Sequence, residues 1–203
     1  MMKLTSQEEY GLRCILSLAR RQAQEAALVR MGAAGGSSAS APLTIGQIAE
    51  LEGFSTEYAG KLMGILTRAG LVESVRGRHG GYRLARPARA ICVSEVLAAL
   101  GDKLYRPTET CDRFSGDSSF CVHSNTCSIR SLWSGLQLLL DWVLSRTTLH
   151  DLVATNESNM AEWMRSQFEA LTQLAAKAPA PAGDGINVTL VAPGARSVEP
   201  AES

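Results

Sequence analysis

Several things are missing from this chain, and each absence removes a class of protein. There is no net charge, with 20 Lys and Arg against 20 Asp and Glu, so the choice of partner rests on where the charges lie. No apolar run reaches the length of a membrane span before a charge or a glycine breaks it. The start, MMKLTSQEEY, lacks the basic-then-apolar profile of a signal peptide, so a cytoplasmic protein with no membrane partner is expected. No nucleotide-binding loop or catalytic triad is recognisable, which argues against an enzyme. The five cysteines are an odd number and a poor disulfide framework in a reducing compartment. Metal binding or redox sensing is therefore favoured for those that cluster.

What is present is a concentration of positive charge in one segment. From Phe54 to Ala90 seven basic residues (Lys61, Arg68, Arg76, Arg78, Arg83, Arg86, Arg89) face two acids, Glu57 and Glu73. Such a basic face suits phosphate contact. With 203 residues, 45% of them hydrophobic, the chain can bury one proper core.

Patterning orders this core as a series of helices with a hairpin. Thr5 to about Arg30 reads as a helix with Leu12, Ile15, Leu16 and Ala19 on one face, and capping-box spacing occurs twice, at Thr5 to Glu8 and at Ser6 to Glu9. A Gly, Ser and Ala-rich insertion over about 31–42 follows as a flexible linker. Thr44 opens a short helix ending at Gly53. Ser55 or Thr56 opens another, which runs to Ala69 with Leu62, Ile65 and Leu66 buried and Gly70 as its stop. LVESV and YRLAR are β-prone runs joined by RGRHGG, the composition of a hairpin wing. Cys14 and Cys92 lie in apolar segments and read as buried packing residues.

Beyond residue 100 comes DKLYRPTETCDRFSGDSSFCVHSNTC, too polar to order itself around a hydrophobic core. Its three cysteines, Cys111, Cys121 and Cys127, give it another means, because the free energy of binding a metal or cluster is also folding free energy. Ser128 to Arg146 then carries Ile129, Leu132, Trp133, Leu136, Leu139, Leu140 and Val143 at helical spacing. That helix is about 28 Å long, and its stripe suits a dimer seam or packing within its own subunit. A second amphipathic helix spans about Asn156 to Lys177, and 178–203 reads as a disordered tail.

The expected fold is mainly α. A winged helix-turn-helix DNA-binding domain (1–100) is followed by a metal-binding loop (101–127), then a long dimerisation helix and a C-terminal helix (128–177). This sequence resembles the IscR, NsrR and RirA type of iron-sulfur winged-helix transcription regulators. The likeness is carried by KLTSQEEYGLRCILSLA, by LTIGQIAELEGFSTEYAGKLMGILTRAGLVESVRGRHGGYRLAR with its wing VRGRHGGY, by ICVSEVLAAL, and by CSIRSLWSGL with TLHDLV. It implies a homodimer on a double-stranded DNA operator, with an iron-sulfur cluster, 2Fe-2S rather than 4Fe-4S, held by the three cysteines beside the dimerisation helix. The cysteines are separated by nine and then five residues, the first gap being wider than is usual in that family. Arg130 stands where IscR-like members have a histidine ligand.

A cluster usually takes four protein ligands, so a fourth is needed. The resemblance points to Glu9, which aligns with an N-terminal carboxylate that NsrR-like members use and that the other subunit can contribute. As a purely local residue, Glu9 would instead be half of the Ser6 capping box. Glu8 and His123 are weaker candidates, and His123 would also complete a Cys₃His zinc site. On the DNA side, Ser55, Thr56, Glu57, Tyr58 and Lys61 occupy the first turns of the recognition helix. Ser55 or Thr56 can equally be a cap and Glu57 a partner of the helix dipole. In the wing, Arg76, Arg78 and His79 suit a minor groove, with Gly77, Gly80 and Gly81 permitting close approach. Two other readings remain: a zinc- or thiol-based redox regulator of the same fold, and an electron-transfer protein or redox enzyme with a borrowed winged helix.

Overall fold

The computed structural model describes residues 5–32, 41–78, 80–101, 127–154 and 157–177. Among the residues nominated above, His79, Cys111, Cys121 and His123 lie outside this set, as do residues 33–40 of the insertion and the tail from 178. The chain forms two compact units, Met1–Asn156 and Glu157–Ser203.

The first helix, α1 (Ser6–Arg30), begins at a capping box. Thr5 accepts the Glu8 N–H at 3.2 Å, and the Glu8 carboxylate accepts from the Thr5 backbone N–H and hydroxyl, each at 2.7 Å. Of the two boxes the spacing allows, this is the one that forms. The buried face of α1 is Gly11, Cys14, Ile15, Leu18 and Ala19, while Leu12 and Leu16 pack at its margin. Gly11 has no Cβ because the Leu100 side chain occupies that space.

Next, α2 (Ile45–Glu52) is capped by Thr44 with Gln47 and stopped by Gly53, whose φ of 75° is left-handed. Ser55 caps α3 (Thr56–Arg68). Ala59, Leu62, Met63 and Leu66 form its buried face, and Ile65 lies partly exposed beside it. Strands β1 (Val72–Val75) and β2 (Gly81–Leu84) pair antiparallel with Val72 opposite Leu84 and Val75 opposite Gly81. Leu43, just before α2, adds a third backbone to this wing through two hydrogen bonds with Tyr82, at 2.9 and 2.8 Å.

A 3₁₀ turn (Ala88–Ala90) leads to α4 (Val93–Leu100), which packs on α1 and α3. After the cysteine loop come α5 (Ser128–Arg146) and a short α6 (Leu149–Ala154). The chain leaving α5 is hooked back onto the entry to α4: Val93 N–H donates to Thr147 O at 2.8 Å, and Leu149 N–H to Ile91 O at 3.0 Å. Leu149 thereby joins Ile15, Ile48, Leu62, Met63, Leu66, Ile91, Val96 and Leu100 in the core. Each such side chain contributes about 1.5–3 kcal/mol by leaving water. The second unit contains α7 (Glu157–Lys177).

The two cysteines read as packing residues differ. Cys14 is fully buried, and burial first, then the nearby Glu52 charge, pushes its thiol up to about 12, so it stays protonated at neutral pH. Cys92 is not buried but half-exposed. It sits at the N-cap of α4, where its backbone N–H donates to Glu95 at 3.1 Å. The apolar neighbourhood was real, but the helix begins one residue later and turns this position outward.

Candidate DNA interface and cysteine site

The helix-turn-helix is locked by a polar contact between α1 and α2. Arg13 Nε donates to the buried Glu52 carboxylate at 2.9 Å, and the Ser17 hydroxyl donates to its other oxygen. A second lock is aromatic: Tyr10, Phe54 and Tyr58 meet edge to face with centroids 5.3–6.0 Å apart, and Arg13 lies over the Tyr10 ring. The entry to α3 is therefore tied to the first turns of α1.

Against this frame, Ser55, Thr56, Glu57 and Lys61 are all exposed on α3. The Ser55 hydroxyl accepts the Tyr58 N–H at 3.2 Å, so capping is one job it certainly has. Tyr58 is half-buried, its ring committed to the aromatic trio. At the wing tip Arg76 and Arg78 are exposed. The glycines there serve the hairpin itself. A Cβ on Gly80 would collide with the Val75 carbonyl and one on Gly81 with the Leu43 carbonyl, whereas Gly77, at φ 112°, faces open space.

Charge pairing trims the basic face that the sequence displays. Glu73 takes Arg83 across the hairpin, and Arg86 donates to Glu95 at 2.7 Å and to Ala90 O at 3.0 Å. The Arg86 hydrogen bond, helped by the Cys92 N–H, holds the Glu95 carboxyl below its ordinary range. Lys61, Arg68, Arg76, Arg78 and Arg89 are all exposed and make no ion pair among the described residues. Arg68 and Arg89 were not singled out as contacts from the sequence. For Arg68 the signal was there, since it lies seven residues after Lys61 on the same helix face.

At the cysteine site, Cys127 is the N-cap of α5. Its half-buried sulfur accepts the Arg130 N–H at 3.3 Å. The first turn of α1 lies where the cysteine loop begins: Gln7 Nε2 donates to Leu100 O, and the buried Glu8 fills the space a side chain at Gly101 would need. Glu8 is committed to its cap. Glu9 is exposed, and its carboxylate makes no hydrogen bond or ion pair among the described residues. Among those residues no three His, Cys, Asp or Glu side chains gather as a metal site, two of the three cysteines being outside them.

Unlike the other helices described in its unit, α5 has no fully buried residue over its 19 positions. Ile129 and Leu132 are 64% and 59% exposed, and Leu136 and Leu139 are exposed beside them on the same face, while Leu138, 69% exposed, lies on the other side of the helix.

Residues 4–155 match the Rrf2 family, described as iron-dependent transcriptional regulators. The chain belongs to the Rrf2 family. The match runs from the start of α1 to the end of α6, nearly the whole first unit. The Rrf2 protein of Nitratidesulfovibrio vulgaris is 32% identical over 152 residues, covering 75% of this chain and 87% of that one. The regulator IscR of Vibrio parahaemolyticus is 31% identical over 156 residues, 77% of this chain and 80% of that one. Among solved structures, the global cysteine regulator CymR of B. subtilis superposes with a TM-score of 0.56 at 25% identity, covering 77% of this chain and all of that one. This Rrf2-family chain is thus a winged-helix, DNA-binding regulator of transcription, and its family is one of regulators and not enzymes. No helix among its described residues is long and apolar enough to cross a membrane.

Proposed function

We propose that the protein is a homodimeric transcription regulator whose operator binding is set by an iron-sulfur cluster, 2Fe-2S in preference to 4Fe-4S, and that it senses redox state, nitric oxide or iron supply. The observation that carries this reading is the position of Cys127. Among the described helices of the first unit, it caps the one whose apolar face is uncovered, so a change at the sulfur is a change at the end of the proposed dimer seam. The donor chemistry fits: a cysteine sulfur is a ligand that suits soft metals and iron-sulfur clusters. Cys111, Cys121 and Cys127 would hold the cluster, with Glu9 as the fourth ligand. Support for Glu9 over Glu8 is that Glu8 is spent on its cap and Glu9 is not.

When bound, such a cluster supplies reversible one-electron chemistry at a site where a carboxylate ligand is easily displaced. The chain's own residues do the rest. The exposed stripe of α5 pairs two copies, and α4 links α5 to α1 and α3, so the spacing of the two recognition helices follows from how α5 is seated. Ser55, Thr56, Glu57, Tyr58 and Lys61 read the operator in the major groove, and Arg76, Arg78, His79, Gly80 and Gly81 form the wing contact.

Anaerobic purification with a visible spectrum and iron and sulfide analysis tests the cluster directly. Cys111→Ala, Cys121→Ala or Cys127→Ala should each abolish the chromophore, while Cys14→Ala and Cys92→Ala should leave it. Stoichiometric zinc with no sulfide, or a colourless metal-free protein that still responds to oxidants, would replace the cluster by the zinc or thiol reading.

A further inference from the structure

The exposed face of α3 carries a residue that nothing inside the chain explains. At about 100° per residue, Glu57, Gly64 and Arg68 fall within about 60° of Lys61, while the buried Ala59, Leu62, Met63 and Leu66 lie on the opposite side. Glycine is among the poorest helix formers, and α3 has two in its interior. The first has a packing neighbour: a Cβ on Gly60 would lie 3.7 Å from Ile45 of α2. The second has none of that kind. A Cβ on Gly64 would meet only the Arg68 guanidinium, at 3.5 Å, the far end of a flexible side chain. That guanidinium leans back over the bare patch toward Lys61, whose Cα is about 10 Å away along the axis.

We propose that Gly64 and Arg68 extend the DNA-reading surface of α3 beyond its first turns. Gly64 lets the helix backbone approach the duplex, and Arg68 reaches a phosphate or a base edge at the far end of the stripe. The helix then lies lengthwise in the major groove, with Glu57, Lys61, Gly64 and Arg68 all facing the DNA. The proposal rests on the DNA binding of the family and is independent of the cluster. In a role confined to the fold, Arg68 would merely complement the negative end of the helix dipole and Gly64 would be incidental.

The two roles differ at Gly64 in what a side chain there does to DNA binding. Duplexes are first selected from a random pool with the full-length parent protein, and the variants are measured on those duplexes. Gly64→Ala should raise Tm by a few degrees, because alanine is the better helix former and its Cβ would make only an ordinary contact with the flexible Arg68 side chain, yet weaken binding about tenfold. Gly64→Gln, which pushes a longer side chain toward the groove, should weaken it further. Arg68→Ala should lower affinity and, for a phosphate contact, make the salt slope shallower by about one unit. Parent-like affinity in Gly64→Ala and Gly64→Gln, with the same sequence preference on repeated selection, would overturn the proposal. So would a loss of binding in Gly64→Ala that comes with a lowered Tm, since the glycine would then be serving the fold.

Discussion

Helices α3 and α5 are both amphipathic, yet one closes its apolar face within the chain and the other does not. Over 13 residues α3 buries Ala59, Leu62, Met63 and Leu66. Over 19 residues α5 buries none, although it carries Ile129, Leu132, Leu136, Leu138 and Leu139. The difference is one of surroundings: α3 is flanked by α1, α2, α4 and β1, whereas the main neighbour of α5 among the described elements is α4. A helical stripe in a sequence thus states that a face needs covering and leaves open what covers it. For α3 the cover is intramolecular, and for α5 it is the proposed second copy.

The sharpest way to break this contrast is to replace leucines on both helices, by truncation on α3 and by charge on α5. Leu66→Ala should cost about 2–5 kcal/mol in urea unfolding, because Leu66 is fully enclosed and leaves a cavity. On α5 the double change Leu132→Asp, Leu139→Asp should leave the fold of an isolated chain nearly untouched. It should weaken self-association by about 100-fold, roughly 3 kcal/mol, in sedimentation equilibrium. If instead it lowered Tm with no change in mass, α5 would be packed within its own subunit.

A smaller effect separates the two neighbouring carboxylates at the start of α1. Glu8→Ala removes a buried capping partner and should cost about 1–2 kcal/mol. Glu9→Ala should change stability by less than about 0.5 kcal/mol, as for an exposed position. Its loss should instead shift the cluster's spectrum or reduction potential and blunt the DNA response. Thr5→Ala, which disturbs only the cap, is the matching control. Identical spectra, potentials and DNA responses in the Glu9 variant and the parent would return the fourth position to His123 or a non-protein ligand.

The smallest effect belongs to Glu95, whose carboxyl is held low by Arg86. A depressed acid adds stability above its unfolded value of 4.5 and forfeits it as pH falls through the folded one. Both partners are about two-fifths exposed, so screening leaves about 0.5 kcal/mol. The stability lost between pH 6 and pH 3 should be smaller by that amount in Glu95→Gln than in the parent. An equal loss in both would show that solvent screens the pair completely.

Much of the fold was legible because local chemistry and tertiary structure agree. The cap of α2, the stops at Gly53 and Gly70, the glycine-rich hairpin and both ends of α5 are each written in a few adjacent residues. What was hidden depended on neighbours remote in sequence. Thr5 with Glu8 and Ser6 with Glu9 are equally good capping pairs on paper, and the packing of Glu8 against Gly101 accompanies the pair that forms. The strand at Leu43 is a single bridge with no period to detect, and the six residues of α6 are too few to show one. The pairing of Arg83 with Glu73 needed the hairpin register, and that of Arg86 with Glu95 needed α4 beside the wing. At the cysteine site, polarity and spacing drew attention to the three thiols, but the uncovered face of α5 beside Cys127 came only from the coordinates.

The hook between Thr147–Leu149 and Ile91–Val93 has a topological consequence. Gly101 and Thr147 are both fastened to one core, so the stretch 102–146 is an excursion from a folded domain and not an appendage to its end. A fragment ended at residue 100 would lose Leu149 from the interior and leave the Ile91 carbonyl and the Val93 N–H without their backbone partners. A tether closed at both ends has already given up much of its chain entropy, and the cost of closure grows only slowly with length. That arithmetic makes the nine-residue gap between Cys111 and Cys121 inexpensive in a chain fastened at both ends to the domain that reads DNA.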